Sequence, residues 1–231
     1  MTIDAILFDK DGTLFDFGAT WEAWAEAFLL RITDQDRDRA QEVGHEIGYD
    51  LAAGRFRPDS LVIAGTPTEI AAVLGVHFPQ MTQAELVGML NEEAETAPQV
   101  EAVPLAPFLD GLRAQGLRLG VATNDAEAPA RAHLGAAQVL DRFDFIAGSD
   151  SGHGAKPQPG PLLAFCASVG IDPSRAVMVG DSTHDLHAGR AAGMITLGVL
   201  TGLAGMDELA PHADAVLPDI GHIPAWLASR G

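Results

Sequence analysis

The sequence predicts an α/β fold, a Rossmann-like parallel sheet core flanked by helices, with an all-helical unit inserted near its start. Three observations lead there. A short apolar run from Ile3 to Phe8 stops at two carboxylates, Asp9 and Asp11, followed by Gly12-Thr13. Apolar strand-like runs then recur after residue 100, each separated from the next by a helix-length stretch. Between the two regions, residues 17–99 carry only helical spacing. Continuous apolar runs mark interior parallel strands, and strands alternating with helices imply right-handed βαβ units.

The opening strand places Asp9 and Asp11 on one side, because residues two apart on a strand share a face, and Gly12 permits the turn that ends it. Trp21, Trp24 and Phe28 share a helix face and read as the insert's own core. A second helical pattern covers Asp36–Leu51. Breakers at Arg57-Pro58, Gly65-Thr66-Pro67 and Phe78-Pro79 separate its helices, and Thr82 with Glu85 offers a capping box for a helix over Ala84–Ala97. Pro98, Pro104 and Pro107 mark the return to the main domain. There the expected order is helix Pro107–Gln115, strand Leu117–Thr123, helix Ala126–Leu134, strand Phe143–Ala147 and helix Gly160–Val169. Strand Ala176–Val179, helix Asp185–Ala192, strand Ile195–Leu200 and strand Ala215–Leu217 complete it. The expected division is residues 1–16 and 100–231 for the core, and 17–99 for the helical insert.

Composition narrows the partners. The 231 residues, 47% hydrophobic and 20% charged, suffice for a core without staples. Cys166, the lone cysteine, excludes an internal disulfide framework and fits a reducing compartment. A net charge of −18, from 14 basic and 32 acidic residues, repels nucleic acid and anionic lipid. The longest apolar stretch, Ile195–Met206, falls short of the ~20 residues a membrane helix needs, and no basic-then-apolar leader opens the chain. A cytoplasmic protein away from membranes, monomeric or homodimeric, is the expectation.

Four segments put reactive residues directly after an apolar strand or at a helix start: Asp9/Asp11, Thr123-Asn124, Lys156, and Gly180-Asp181 with Asp185. In open parallel sheets ligands sit outside the carboxyl ends of the strands, so these segments should meet in one crevice. Several carboxylates at one spot call for a cation, and hard oxygen ligands suit Mg²⁺. Lys156 adds a compact positive charge, while the Thr123 hydroxyl and nearby backbone N–H groups can hold phosphoryl oxygens. Phosphoryl transfer is mainly positioning and charge neutralisation, which this set supplies.

The segments Asp9-Lys10-Asp11-Gly12-Thr13-Leu14, Thr123-Asn124, Lys156-Pro157 and Gly180-Asp181 followed by Asp185 resemble the four ordered motifs of the haloacid dehalogenase superfamily. The insert resembles the helical cap of the branch containing phosphoglycolate phosphatase and β-phosphoglucomutase. The resemblance implies a Mg²⁺-dependent phosphatase acting on a small phosphorylated metabolite, phosphoglycolate or a comparable phosphate monoester. It implies Asp9 as nucleophile and Asp11 as acid/base. Asp9, the Asp11 carbonyl and Asp181 would hold the metal; Thr123, Asn124 and Lys156 would bind the phosphoryl group. Asp185 would support the metal or the lysine from behind. An acid at Asp11 disfavours carbon–halogen cleavage, since dehalogenases of the superfamily lack one there. A phosphomutase of the β-phosphoglucomutase type is the alternative, and a phospho-acceptor or binding module the more remote one.

Other residues carry weaker expectations. Strand alternation sends Lys10 away from the pocket, to a structural or surface role. Arg55 and Arg57, in a basic knot before Pro58, and His153 are candidates for meeting the non-phosphate end of the substrate. His184 and His187 imitate a zinc pair without a third ligand.

Overall fold

The computed structural model describes residues 2–230. In chain order the strands are β1 (Ala5–Phe8), a two-residue pair β2 (Tyr49–Asp50) and β3 (Arg55–Phe56), then β4 (Arg118–Ala122), β5 (Phe145–Ala147), β6 (Ala176–Gly180), β7 (Ile195–Val199) and β8 (Ala215–Leu217). All except β2 and β3 join one parallel sheet ordered β5-β4-β1-β6-β7-β8. The period of two along β1 divides the core. Ile6 and Phe8 face a cluster completed by Leu119, Val121, Val177 and Val179, whereas Ala5 and Leu7 face a second one with Phe165 and Met178. Both faces are thus dry, as a central parallel strand requires.

Helices α5 (Leu105–Ala114), α6 (Glu127–Ala136) and α10 (Ile223–Ala228) cover the first face through Leu109, Leu134 and Ile223. On the second, α7 (Gly160–Val169) and α8 (Thr183–Ala192) pack through Phe165 and Ala188, and the short α9 (Met206–Leu209) follows β7. Cys166 is buried in this second layer, and burial first, then the charge of Asp172, pushes its thiol up to about 11. No helix among the described residues is long and apolar enough to cross a membrane.

The insert has its own core. Its helices α1 (Phe17–Ile32), α2 (Arg37–Glu46), α3 (Pro67–Leu74) and α4 (Gln83–Glu95) bury Trp24, Phe28, Val43, Ile70, Leu86 and others in a separate hydrophobic cluster. Trp24 stacks on Phe28 with centroids 5.5 Å apart. The Thr82–Glu85 capping box forms at the start of α4, and Thr66 with Glu69 makes a second one on α3. The insert is not all-helical, however. The helical pattern over Asp36–Leu51 ends at Glu46 because Gly48 takes a φ of +80°, and β2 then pairs antiparallel with β3. Packing of the Tyr49 and Phe56 rings, 4.9 Å between centroids, outweighs the local helical period there.

Candidate active site

β1 lies between β4 and β6, where successive connections leave the sheet in opposite directions. The ends of these three strands deliver the chemistry. Asp9 follows β1 directly and anchors its backbone by donating its N–H to the Val179 carbonyl at 2.8 Å. Thr123 and Asn124 follow β4, and Asp181 follows β6. Gly12, at φ +76°, turns the chain so tightly past Asp181 that a Cβ would collide with that carboxylate. Thr201 fixes the turn by donating its hydroxyl to the Gly12 carbonyl at 2.6 Å.

Lys156 reaches in from the loop before α7. Its Nζ sits 2.6 Å from Asp9 Oδ1 and 2.7 Å from Asp185 Oδ1. Burial pulls this ammonium toward neutrality, but the charges of Asp185 and Asp9 outweigh it and hold the pKa above the usual lysine value. Asp185, in the first turn of α8, also accepts from the Ser182 N–H at 3.1 Å and hydroxyl at 2.7 Å. Asp9 is pushed up to about 7, by burial first, then the charges of Asp185 and Asp11, against the pull of Lys156. Asp181 is raised as well, by burial and then by Asp9 and Asp185.

Oxygens of Asp9, Asp181 and Asp185 approach within 4.8 Å of one another. Three buried carboxylates with two of them held above their ordinary range form a hard-oxygen donor set suited to a divalent cation. The Asp11 carboxylate is not part of this triad. It turns to Lys10, whose Nζ lies 3.1 Å from Asp11 Oδ2, 3.0 Å from Asp125 Oδ2 and 2.9 Å from His133 Nδ1.

Of the two roles expected for Lys10 the structure takes the structural one: it is fully buried and does not line the cleft. Burial works against its charge, yet Asp11 and Asp125 together raise its pKa above the usual value. His133 is pushed down to about 4 by burial and then by Lys10, so it is neutral: Nδ1 accepts from Lys10, and Nε2–H donates to the Ala94 carbonyl of the insert at 2.7 Å. A charge beside the site is thereby tied through one imidazole to the end of α4.

Asn124 performs a similar tie. Its amide N–H groups go to the Ala64 and Lys156 carbonyls at 2.7 and 2.9 Å, and its Oδ1 accepts from the Lys156 N–H at 2.9 Å. The side chain is used up as a brace between loops, which leaves only its backbone for a phosphoryl oxygen. Thr123 is buried, with its Oγ1 accepting from the Asp125 N–H at 3.1 Å.

Asp9, Asp11, Thr123, Asn124, Lys156, Asp181 and Asp185 all line one cleft between the sheet edge and the insert. Arg55, Arg57 and His153 do not. Arg57 is tied to Asp59 at 3.2 Å and to the His45 carbonyl at 3.2 Å, and exposed His153 lies 6.0 Å from the Phe145 ring. His184 lines the cleft, but His187 turns to His212 on the surface at 3.2 Å, so the two do not form a pair. Sequence reasoning missed Asp125, His133 and Asn91. Asp125, directly after the Thr123-Asn124 motif, was the one with a local signal.

The sequence profile of the haloacid dehalogenase-like hydrolases matches residues 3–193. The chain belongs to that family. Phosphoglycolate phosphatase of Nitrosospira multiformis is 42% identical over 95% of the chain and 93% of its own length. That of Rhodospirillum rubrum is 37% identical over 96% and 90%. Among solved structures, a predicted phosphoglycolate phosphatase from Haemophilus somnus superposes with a TM-score of 0.73 at 21% identity, covering 98% of each chain, an agreement of fold. Within the haloacid dehalogenase-like hydrolases this chain is an enzyme of the phosphatase type.

Proposed function

We propose that the protein is a Mg²⁺-dependent phosphatase that hydrolyses a small phosphate monoester through an aspartyl-phosphate on Asp9. The observation that carries the reading is the division of the two acids. Asp9 is clamped by Lys156 on the phosphoryl side, whereas Asp11 has one oxygen held by Lys10 and the other, Oδ1, buried with no partner.

A carboxylate oxygen of Asp9 attacks phosphorus as the ester P–O bond breaks, and Asp11 gives its proton to the departing alkoxide. Water then attacks the phospho-aspartate, Asp11 takes the water's proton, and the P–O bond to Asp9 breaks to release phosphate. Thr123, Lys156 and backbone N–H groups hold the phosphoryl oxygens throughout. Asp9, Asp181, Asp185 and the Asp11 carbonyl are the groups that would hold Mg²⁺, which supplies charge neutralisation for the phosphoryl oxygens and lets Asp9 stay ionised. The insert, residues 17–99, serves as a cap that covers the cleft and keeps bulk water from the intermediate.

Asp9→Asn is the direct test, and phosphoglycolate, by the names of the relatives, is the reference substrate beside p-nitrophenyl phosphate. Loss of Mg²⁺-dependent phosphate release by at least ~10⁴-fold, with an unchanged circular dichroism spectrum, is expected. Substantial residual turnover in that variant rejects the nucleophile.

A further inference from the structure

We propose that Lys10 is a positioning residue of the reaction: from behind the cleft it fixes the Asp11 side chain for proton transfer, and it is itself tied to the insert through His133. The proposal rests on the phosphatase reading, which gives Asp11 the proton-transfer step, and adds a residue that acts without lining the cleft. Asp11 lines it; Lys10 does not. Among the described residues the Lys10 ammonium, 3.1 Å from Asp11 Oδ2, is the only group that holds the Asp11 carboxylate, since Oδ1 has no partner. A carboxylate with one anchor takes its orientation from that anchor.

Lys10 has the fixity that such a task needs. At its backbone end, the Lys10 carbonyl accepts the Leu14 and Phe15 N–H groups at 2.9 and 3.1 Å. At its far end, Nζ donates to Asp125 Oδ2 at 3.0 Å and to His133 Nδ1 at 2.9 Å. Both partners are tied down in their turn: Asp125 Oδ1 accepts the Ala126 N–H at 2.7 Å, and His133 Nε2–H donates to the Ala94 carbonyl at 2.7 Å. Neutralising Asp11 needs one ion pair and no more. Gathering a second carboxylate and an imidazole around one buried ammonium costs further desolvation, and what these groups add is a single place for Nζ.

The insert contributes two of the contacts. Ala94 lies in α4, and the Trp21 ring of α1 has its centroid 5.4 Å from Lys10 Nζ, within the range of a cation–π attraction. Asp11 is thus anchored, through one ammonium, to both parts of the chain. The seat of the insert on the core and the orientation of the acid are set together.

The test is the ratio of kcat/KM for n-propyl phosphate to that for p-nitrophenyl phosphate, measured with Mg²⁺. This constant reports the steps up to departure of the leaving group, where an alkoxide requires a proton and p-nitrophenolate needs little. Lys10→Met, matched in length and without the charge, is expected to lower the ratio by at least ~10-fold, because misplacing a reacting group by about 1 Å costs up to ~10²-fold. In an Asp11→Asn background the same substitution is expected to leave the ratio where Asp11→Asn sets it, because the two residues act as one unit. His133→Leu removes one anchor of the ammonium and is expected to lower the ratio by roughly fivefold, the worth of one hydrogen bond. His133→Gln, whose amide serves both Lys10 and Ala94, is expected to restore it. A lysine or histidine with a structural role alone would lower the amount of active enzyme for both esters alike and leave the ratio unmoved. A ratio unmoved or raised in Lys10→Met, or unmoved in His133→Leu where Lys10→Met fails to fold, overturns the proposal and leaves the phosphatase reading standing. Hydrolysis of neither ester by the parent enzyme overturns both.

Discussion

The floor of the cleft and its roof are built on opposite terms. On the floor, supplied by the strand ends of the core, the charged groups are interlocked: Lys156 between Asp9 and Asp185, Lys10 between Asp11 and Asp125. The roof, supplied by the insert, is walled by apolar side chains such as Phe17, Trp21, Val62 and Ile70, with no ionisable residue among its lining. A saturated electrostatic floor holds reacting groups at fixed positions without reorganisation. An apolar roof suits selection by shape. In the proposed reading, reaction belongs to the floor and selection to the roof, and the two stretches meet across the His133–Ala94 and Asn124–Ala64 hydrogen bonds.

If that division holds, changes on the floor should act on all esters, in proportion to the chemistry demanded of the floor. Asp11→Asn is expected to lower kcat by ~10²- to 10⁴-fold for alkyl esters, since it removes acid assistance. The loss should be smaller for p-nitrophenyl phosphate, whose leaving group needs little protonation. An equal loss for both would mean that Asp11 acts on something other than the leaving group.

Lys10→Met probes the floor's second clamp. It leaves Asp11 and Asp125 buried beside a neutral side chain, and breaking a buried pair in this way costs about 3–5 kcal/mol. Urea unfolding should show that loss. A change below ~1 kcal/mol, the value of an exposed pair, would show that the clamp is slack.

The link between floor and roof has its own pH signature. Folding lowers the His133 pKa from 6.5 to about 4. Between those values the unfolded chain binds a proton that the folded one refuses, so stability falls as pH drops from 6.5 and levels off below about 4. Above pH 6.5 neither state binds it, and this contribution is complete. The loss is on the order of 3 kcal/mol across the window. Unfolding midpoints measured at pH 7 and pH 5 should converge in His133→Gln relative to the parent, because the glutamine amide can serve both partners without titrating. An unchanged pH slope would place the titrating group elsewhere.

How much of this was legible in advance depended on the range of the interaction involved. The capping box at Thr82–Glu85 and helix Gly160–Val169 were legible, because caps and apolar periods are set by residues within a few positions. The convergence of Asp9, Thr123, Lys156 and Asp181 was legible for another reason: parallel strands all end on the same edge, so a polar residue after each apolar run has few other places to go. Lys10 and Asn124 were not. Each looked free in its own segment, and each is spent on partners far along the chain.

By itself the sequence determined the class of sheet and the edge on which the reactive residues gather, both of which follow from local period and order. Only the tertiary structure decided which charges are already neutralised, which amide is a brace, and which indole N–H is left without a partner. Those are properties of pairing and burial. Arg55 and Arg57, the basic knot of the insert, stay off the cleft, while Trp21, which its helical spacing marks as core, also lines it.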